Sequence, residues 1–417
     1  MVLAAIPFGM AGAVITLFLS ADVSGSRSGA GIIGAITLIL CTGGLSWLFV
    51  GGAFRRRRLR YVISVSTTGL TLILYASLMF FFVFAPAPGY TPLTVTDNVN
   101  YWDLPTGSRI AYTHNSAESV RRPSPVILVH GGPGAPAGNQ EQLIATLARK
   151  GFEVYDYHQV GAGLSGRLEN IRDYTVARHV EDLEAIRKAI GADQVILIGA
   201  SWGGQLIANY MAAYPDHVSK AIVSSPGNIW APAFDGKKAL NASGREDQDK
   251  VIKEYPRLIL ANVLLDAAGP DTAHALFPDR AIDGFFQEFV GSIDMGSGCR
   301  NDGIPRAETV PDKDPRGVGF WVNAMTTRDN TQVPDPRPAL KKVTSPVLVL
   351  RSECDYIAWE VTREYRDLLP NAVMLTIEDA GHTILSHKPE QYLQAALAFL
   401  LDSPLPKEPY TSNSPPW

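Results

Sequence analysis

The 417-residue chain is short of charge: 19% of its residues are Asp, Glu, Lys or Arg, where soluble domains carry about a quarter. The shortage is concentrated at one end. The first 85 positions hold one acidic residue, Asp22, and six arginines, Arg27, Arg55 to Arg58 and Arg60, a net of +5. The other 332 residues therefore carry −9 of the total −4. That division excludes one uniform soluble domain. It also excludes a nucleic-acid-binding body, which would need a positive excess to meet phosphates. Cysteine is scarce, with three in the chain, and no Cys/His cluster has metal-ligand spacing. The chain has no Walker loop, no dinucleotide fingerprint and no internal repeat, so no cofactor is expected.

What the head does contain is three uncharged stretches, Val2 to Ser20, Ala30 to Phe54 and Tyr61 to Ala85, of 19, 25 and 25 residues. At about 1.5 Å per residue, each can cross a hydrocarbon core of about 30 Å. Their apolar character runs all round rather than in a stripe, as lipid-facing helices require. Residues 1–85 are therefore expected to form a three-helix transmembrane region. Arg55 to Arg58 and Arg60 fill the loop between the second and third stretches, which the positive-inside rule puts in the cytoplasm. The N-terminus is then cytoplasmic and everything after about Ala85 extracytoplasmic. Residues 86–92, rich in proline, read as a linker.

From residue 93 the chain alternates short apolar runs with helical patterns, the signature of an α/β fold with a mostly parallel sheet. Strands are expected over Pro125 to His130, Phe152 to Asp156, Gln194 to Gly199, Ala221 to Ser224, Pro346 to Leu350 and Val373 to Ile377. A helix is expected over Val176 to Ile190, closed by Gly191. About 227–338 lacks strand–helix alternation and reads as an inserted lid. The body ends near Leu401, and residues 402–417, rich in Pro and Ser, read as a disordered tail.

Chemistry enters at Gly199-Ala-Ser-Trp-Gly-Gly204, a G-x-S-x-G turn between a strand and a helix. The sharp turn strains the serine backbone and lifts its hydroxyl to the helix N-terminus, where developing negative charge is favoured. Ser201 is thus the candidate nucleophile. Upstream stands His130-Gly-Gly-Pro-Gly134. An oxyanion needs two N–H donors; Trp202 and Gly132 are the candidates, Pro133 having none. In such enzymes the acid and then the base follow the serine in chain order. Asp355, with Glu353 as competitor, follows one strand, and His382 follows the last, in a glycine turn. His158, His179, His217, His274 and His387 are expected in loops or on helix surfaces, and His114 precedes these motifs.

With these motifs the chain resembles the α/β-hydrolase superfamily and, within it, the proline iminopeptidase family of serine aminopeptidases. The resemblance runs roughly from Leu93 to Leu401. It implies an α/β-hydrolase fold with a lid, a triad of Ser201, Asp355 and His382, oxyanion donors at Gly132 and Trp202, and short peptides as substrates. The family's Asp-Gln-Arg-Gly is replaced here by His158-Gln-Val-Gly161. The family also holds the substrate amine with acidic lid residues; Glu254, Glu288 and Asp294 are present, and no local motif selects among them.

Other readings stay open. An esterase, lipase or lactonase would use the same triad on small apolar substrates, and a non-catalytic membrane scaffold would keep only the fold. Cys299 and Cys354 could pair in an oxidising compartment, and Asn241-Ala-Ser243 matches a glycosylation sequon.

Overall fold

The computed structural model describes residues 5–53, 57–87, 93–118, 120–136, 138, 140–234, 239–240, 249–292 and 317–417. Two compact units emerge, Met1–Tyr90 with Ile252–Phe285, and Thr91–Val251 with Phe286–Trp417.

In the first unit the apolar stretches form α1 (Ala5–Ser24), α2 (Arg27–Ala53) and α3 (Arg57–Met79), the last extended by a π-turn over Phe80–Phe84. Small residues let the helices meet closely: a Cβ on Gly9 of α1 would overlap the Thr42 hydroxyl of α2. Of the three expected spans, Arg27–Val50 and Arg57–Phe84 are long and apolar enough to cross a bilayer by length and composition. Among the described residues Ala5–Ala21 is a shorter apolar helix. Three insert helices begin in this unit, Pro256–Ala268, Pro270–Leu276 and Asp279–Ser292. The proposed lid is therefore not one domain: residues 252–285 cluster with the apolar helices and the rest with the sheet.

The second unit is built on eight strands: β1 (Val99–Asp103), β2 (Arg109–Asn115), β3 (Val126–Val129), β4 (Val154–Tyr157), β5 (Val195–Ala200), β6 (Val218–Ser224), β7 (Val347–Ser352) and β8 (Ala372–Ile377). Their order is β1-β2-β4-β3-β5-β6-β7-β8. Strands β3 to β8 run parallel, whereas β1 and β2 are antiparallel to their neighbours. The sheet is thus mixed at one edge. All six expected strands are present. The β1–β2 hairpin was not expected, since its half-exposed strands mix polar with aromatic residues. Trp102 and Tyr112 stack across it at 3.4 Å, the cross-strand contact that holds such a pair.

Strands β3 and β7 are buried throughout, as parallel strands covered on both faces must be. Ile196, Ile198, Ile222, Leu348, Leu350 and Leu375 form one core with Leu393 and Leu400 of the last helix. Each fully buried aliphatic side chain there stabilises by about 1.5–3 kcal/mol. Helix α4 (Glu141–Arg149) precedes β4. Helix α5 (Val176–Ile190) starts where Thr175 Oγ1 accepts from Arg178 N and stops at Gly191, φ +74°. The C-terminal tail departs from the expected disorder. Tyr410 N donates to Met374 O at 2.8 Å, Trp359 Nε1 to Asn413 O at 3.1 Å, and Trp359 meets the Tyr410 ring at 5.8 Å. Proline stops helices, but it leaves the backbone carbonyls free to anchor the chain.

Cys354 is disulfide-bonded and Cys41 is free. The other half of the expected Cys299–Cys354 pair, the Asn241 sequon and Asp294 lie outside the described residues.

Candidate active site

Strand β5 ends at Ala200, and α6 (Trp202–Ala213) begins two residues later. Ser201 occupies the corner at φ +56°, ψ −125°, a region side chains rarely enter and a store of strain. The corner is held through Ser201's backbone: its N–H donates to Ser224 O at 3.1 Å, and its carbonyl accepts from Gly227 N at 2.8 Å. Glycine follows because α6 lies directly against β3; a Cβ at Gly203 would overlap the Val129 carbonyl. The G-x-S-x-G spacing therefore does two jobs here, placing the serine and admitting the helix.

The His130-Gly-Gly-Pro-Gly134 loop is tied to this corner by a buried chain of hydrogen bonds. Trp202 Nε1 donates to Gln159 Oε1 at 3.0 Å, and Gln159 Nε2 to His130 O at 2.7 Å. Gln159 N donates to His130 Nε2 at 2.9 Å, so the proton of the neutral ring sits on Nδ1, 2.9 Å from Gly131 O. Burial lowers the His130 pKa to about 3, and the ring stays neutral at working pH. Gly132, at φ +117°, lines one cavity with Ser201 and Trp202. The first N–H groups of α6, Trp202's among them, have no partner within the helix.

The candidate acid and base approach from β7 and β8. His382 Nδ1 lies 2.7 Å from Asp355 Oδ1, which also accepts from Ile357 N at 3.0 Å. Arg351 Nη1 stands 3.3 Å from the other carboxylate oxygen. Burial pushes the Asp355 pKa up, but the His382 ring, Arg351 and the Ile357 N–H outweigh it and hold it below the usual carboxylate value. Asp355 is therefore ionised. Glu353 instead accepts from Asp379 N at 2.9 Å, so the carboxylate bonded to His382 is Asp355.

Nε2 of His382 is buried and takes no hydrogen bond among the described residues. The Ser201 side chain is near enough to Tyr356 to oppose the rise that burial gives the tyrosine's pKa, and the Tyr356 ring lies 4.2 Å from the His382 ring. No hydrogen bond joins His382 Nε2 to Ser201 in this structure. Catalytic hydrogen bonds often tighten only when substrate arrives. Tyr356 was not selected from the sequence, although it directly follows Asp355. Gln159 was likewise passed over, though it stands in the run that replaces Asp-Gln-Arg-Gly. His179 also departs from its expected surface position: it is buried, 3.1 Å from Thr326 Oγ1 and edge-on to Trp202 at 5.9 Å.

The cavity above Ser201 measures about 420 Å³, and none of its described lining residues is charged. Phe286, Phe289, Tyr356 and Ile357 form apolar walls; Gln205, Asn323 and Asn330 supply amides. Gln205 Nε2 donates to Asn330 Oδ1 at 2.7 Å, and Asn323 Nδ2 to Pro133 O at 2.9 Å. Asn323 of the insert thus braces the glycine loop. Glu288 is not among the lining residues, and burial raises its pKa. Among the described residues no group of His, Cys, Asp and Glu could hold a metal ion.

A larger depression, of about 860 Å³, contains Asp156, His158 and Glu141 but none of Ser201, Asp355 and His382. Burial, with a smaller contribution from Glu141, raises the Asp156 pKa to about 7. The unfolded chain ionises this group near pH 4. Between about pH 4 and pH 7 only the unfolded chain gives up the proton, so stability falls through that window and levels off above it. Asp156→Asn is expected to remove the fall. Its melting temperature should match that of the wild type near pH 4 and exceed it above about pH 7; parallel curves across the range would refute the assignment.

The family model for the alpha/beta hydrolase fold matches residues 124–389. A proline iminopeptidase from Heyndrickxia coagulans is 27% identical over 303 residues, covering 71% of this chain and 96% of that protein. One from Saccharolobus solfataricus is 38% identical over 278 residues, covering 66% of this chain and 84% of that protein. Among solved structures, a thermophilic esterase from Thermogutta terrifontis superposes with a TM-score of 0.50 at 18% identity, covering 73% of this chain and 98% of that one.

Proposed function

We propose, from the premise that the chain belongs to the alpha/beta hydrolase fold family, that it is a serine hydrolase releasing N-terminal residues, proline foremost, from short peptides. The observation that carries the mechanism is the 2.7 Å bond from His382 Nδ1 to Asp355, with the buried Nε2 unbonded among the described residues. Ser201 Oγ attacks the scissile carbonyl and yields its proton to His382 Nε2. Asp355 fixes the ring tautomer and stabilises the imidazolium. The backbone N–H groups of Gly132 and Trp202 receive the oxyanion. Collapse expels the amine with the proton from His382, and water, activated by the same ring, releases the acyl group.

Proline is supported by the named relatives and by a cavity whose apolar walls and neutral amides suit an uncharged ring and a peptide carbonyl. The absence of charge among its described lining residues equally favours a second reading, an esterase on small apolar acyl groups. A panel of prolyl and alanyl amides against short acyl esters separates the two. Prolyl amides are expected to give the highest kcat/KM. Ester turnover with no amide turnover would replace the peptidase reading with the esterase.

Tyr356→Phe tests whether the tyrosine hydroxyl restrains Ser201. A hydrogen bond contributes about 0.5–1.5 kcal/mol net, so freeing Ser201 is expected to raise its fluorophosphonate labelling rate roughly 2- to 10-fold. An unchanged or slower rate would mean that the tyrosine does not restrain the nucleophile.

We further infer that α2 and α3 cross a membrane, with the arginine loop cytoplasmic and the hydrolase body outside. Arg55 to Arg58 and Arg60, which fall between the two apolar stretches of the sequence, support that orientation.

A further inference from the structure

We propose that the insert helix Pro256–Ala268 is a membrane-interface helix whose outward face contacts lipid acyl chains. This rests on the reading of α2 and α3 as spans. A helix that packs on protein and faces water shows one apolar stripe and one polar stripe. Pro256–Ala268 shows two apolar ones. Its inner face buries Leu258, Ala261, Leu264 and Leu265. Its outer face carries Pro256, Ile259, Val263 and Ala267, with Ile259 39% and Val263 53% exposed.

The polar side chains do not restore a polar stripe. Asn262 Nδ2 donates to Leu258 O of its own helix at 3.0 Å, and the outward face carries one exposed acid, Asp266, at its C-terminal end, one turn beyond Val263. Arg257 is buried. Its Nε donates to Phe81 O at 2.9 Å, its terminal nitrogens bond Phe81 O and Ala85 O, and its guanidinium lies 4.3 Å over the Phe285 ring.

Those contacts also set the depth. Phe81 and Ala85 mark the end of the apolar run of α3, and Arg27, at the start of α2, bonds Val83 O there at 3.1 Å. Two arginines satisfied by carbonyls at the same helix end mark the boundary between acyl chains and headgroups. Thirteen residues reach only about 20 Å, too short to span a bilayer. A short helix at that level with an apolar outer face lies along the interface. On α2 and α3, Leu40 and Ile73 are exposed as well.

The test places an environment-sensitive NBD fluorophore on single cysteines in full-length Cys41→Ser protein, reconstituted in phosphatidylcholine–phosphatidylglycerol vesicles. Probes go at Ile259→Cys and Val263→Cys, with Leu74→Cys on α3 and Val120→Cys on the exposed body as references. Nitroxide-labelled phosphatidylcholine is then added. The expected result is quenching at positions 259 and 263 to a degree comparable with position 74, and none at 120. Quenching at 74 alone would overturn the proposal and leave the spans standing. Blue-shifted but unquenched emission at 263 would put a second copy of the chain there instead of lipid, which also overturns it. No quenching at 74 would remove the span reading, and this proposal with it.

Discussion

Ser201→Ala is expected to abolish covalent labelling by a fluorophosphonate and to lower kcat/KM for the best substrate by roughly 10⁴- to 10⁶-fold. The size of the effect follows from the geometry. Ser201 is held at φ +56° at the head of α6, and no described lining residue of the cavity is a cysteine or a carboxylate that could replace it. What survives its loss is the rate supplied by oxyanion binding and substrate placement alone. The alanine should fold, since it removes a hydroxyl and leaves the backbone bonds to Ser224 and Gly227. Retention of the wild-type melting profile together with lost labelling is the expected pair of readings. Labelling that persists in the variant would move the nucleophile elsewhere.

Asp355→Asn is the second large effect. The carboxylate accepts from Ile357 N and stands beside Arg351, so it is positioned before His382 arrives. An asparagine of the same shape can present an N–H to Nδ1 and force the proton onto Nε2, where the base must be free. A loss of about 10⁴-fold in kcat is expected, with KM little changed. Glu353→Gln, whose side chain meets Asp379 N instead, should change kcat less than about threefold, consistent with an interaction outside the reacting atoms. Equal losses in the two variants would show that the acid loop acts as a unit and would overturn the assignment to Asp355.

Much of this site could be read along the chain. The serine turn declares itself through glycines whose need is local: the strand, the turn and the start of α6 fall within ten residues. The six parallel strands were legible because both of their faces are covered, which makes each an apolar run. The β1–β2 hairpin was not, because its residues are half exposed and its pairing with β4 joins positions some forty apart. The tail misled for a related reason. Its composition describes an unfolded chain, but its backbone groups find partners in β8 and the Trp359–Leu368 helix.

By itself the sequence determined the apolar, basic head, the α/β class, and the serine turn between strand and helix, since each depends on neighbours within one element or one turn. Tertiary structure decided what composition cannot encode. It bonded His382 to Asp355 rather than Glu353, set the Tyr356 ring against that of His382, and divided the insert between two units. Those outcomes rest on contacts between residues tens to hundreds of positions apart, where packing distance rather than local propensity selects the partner.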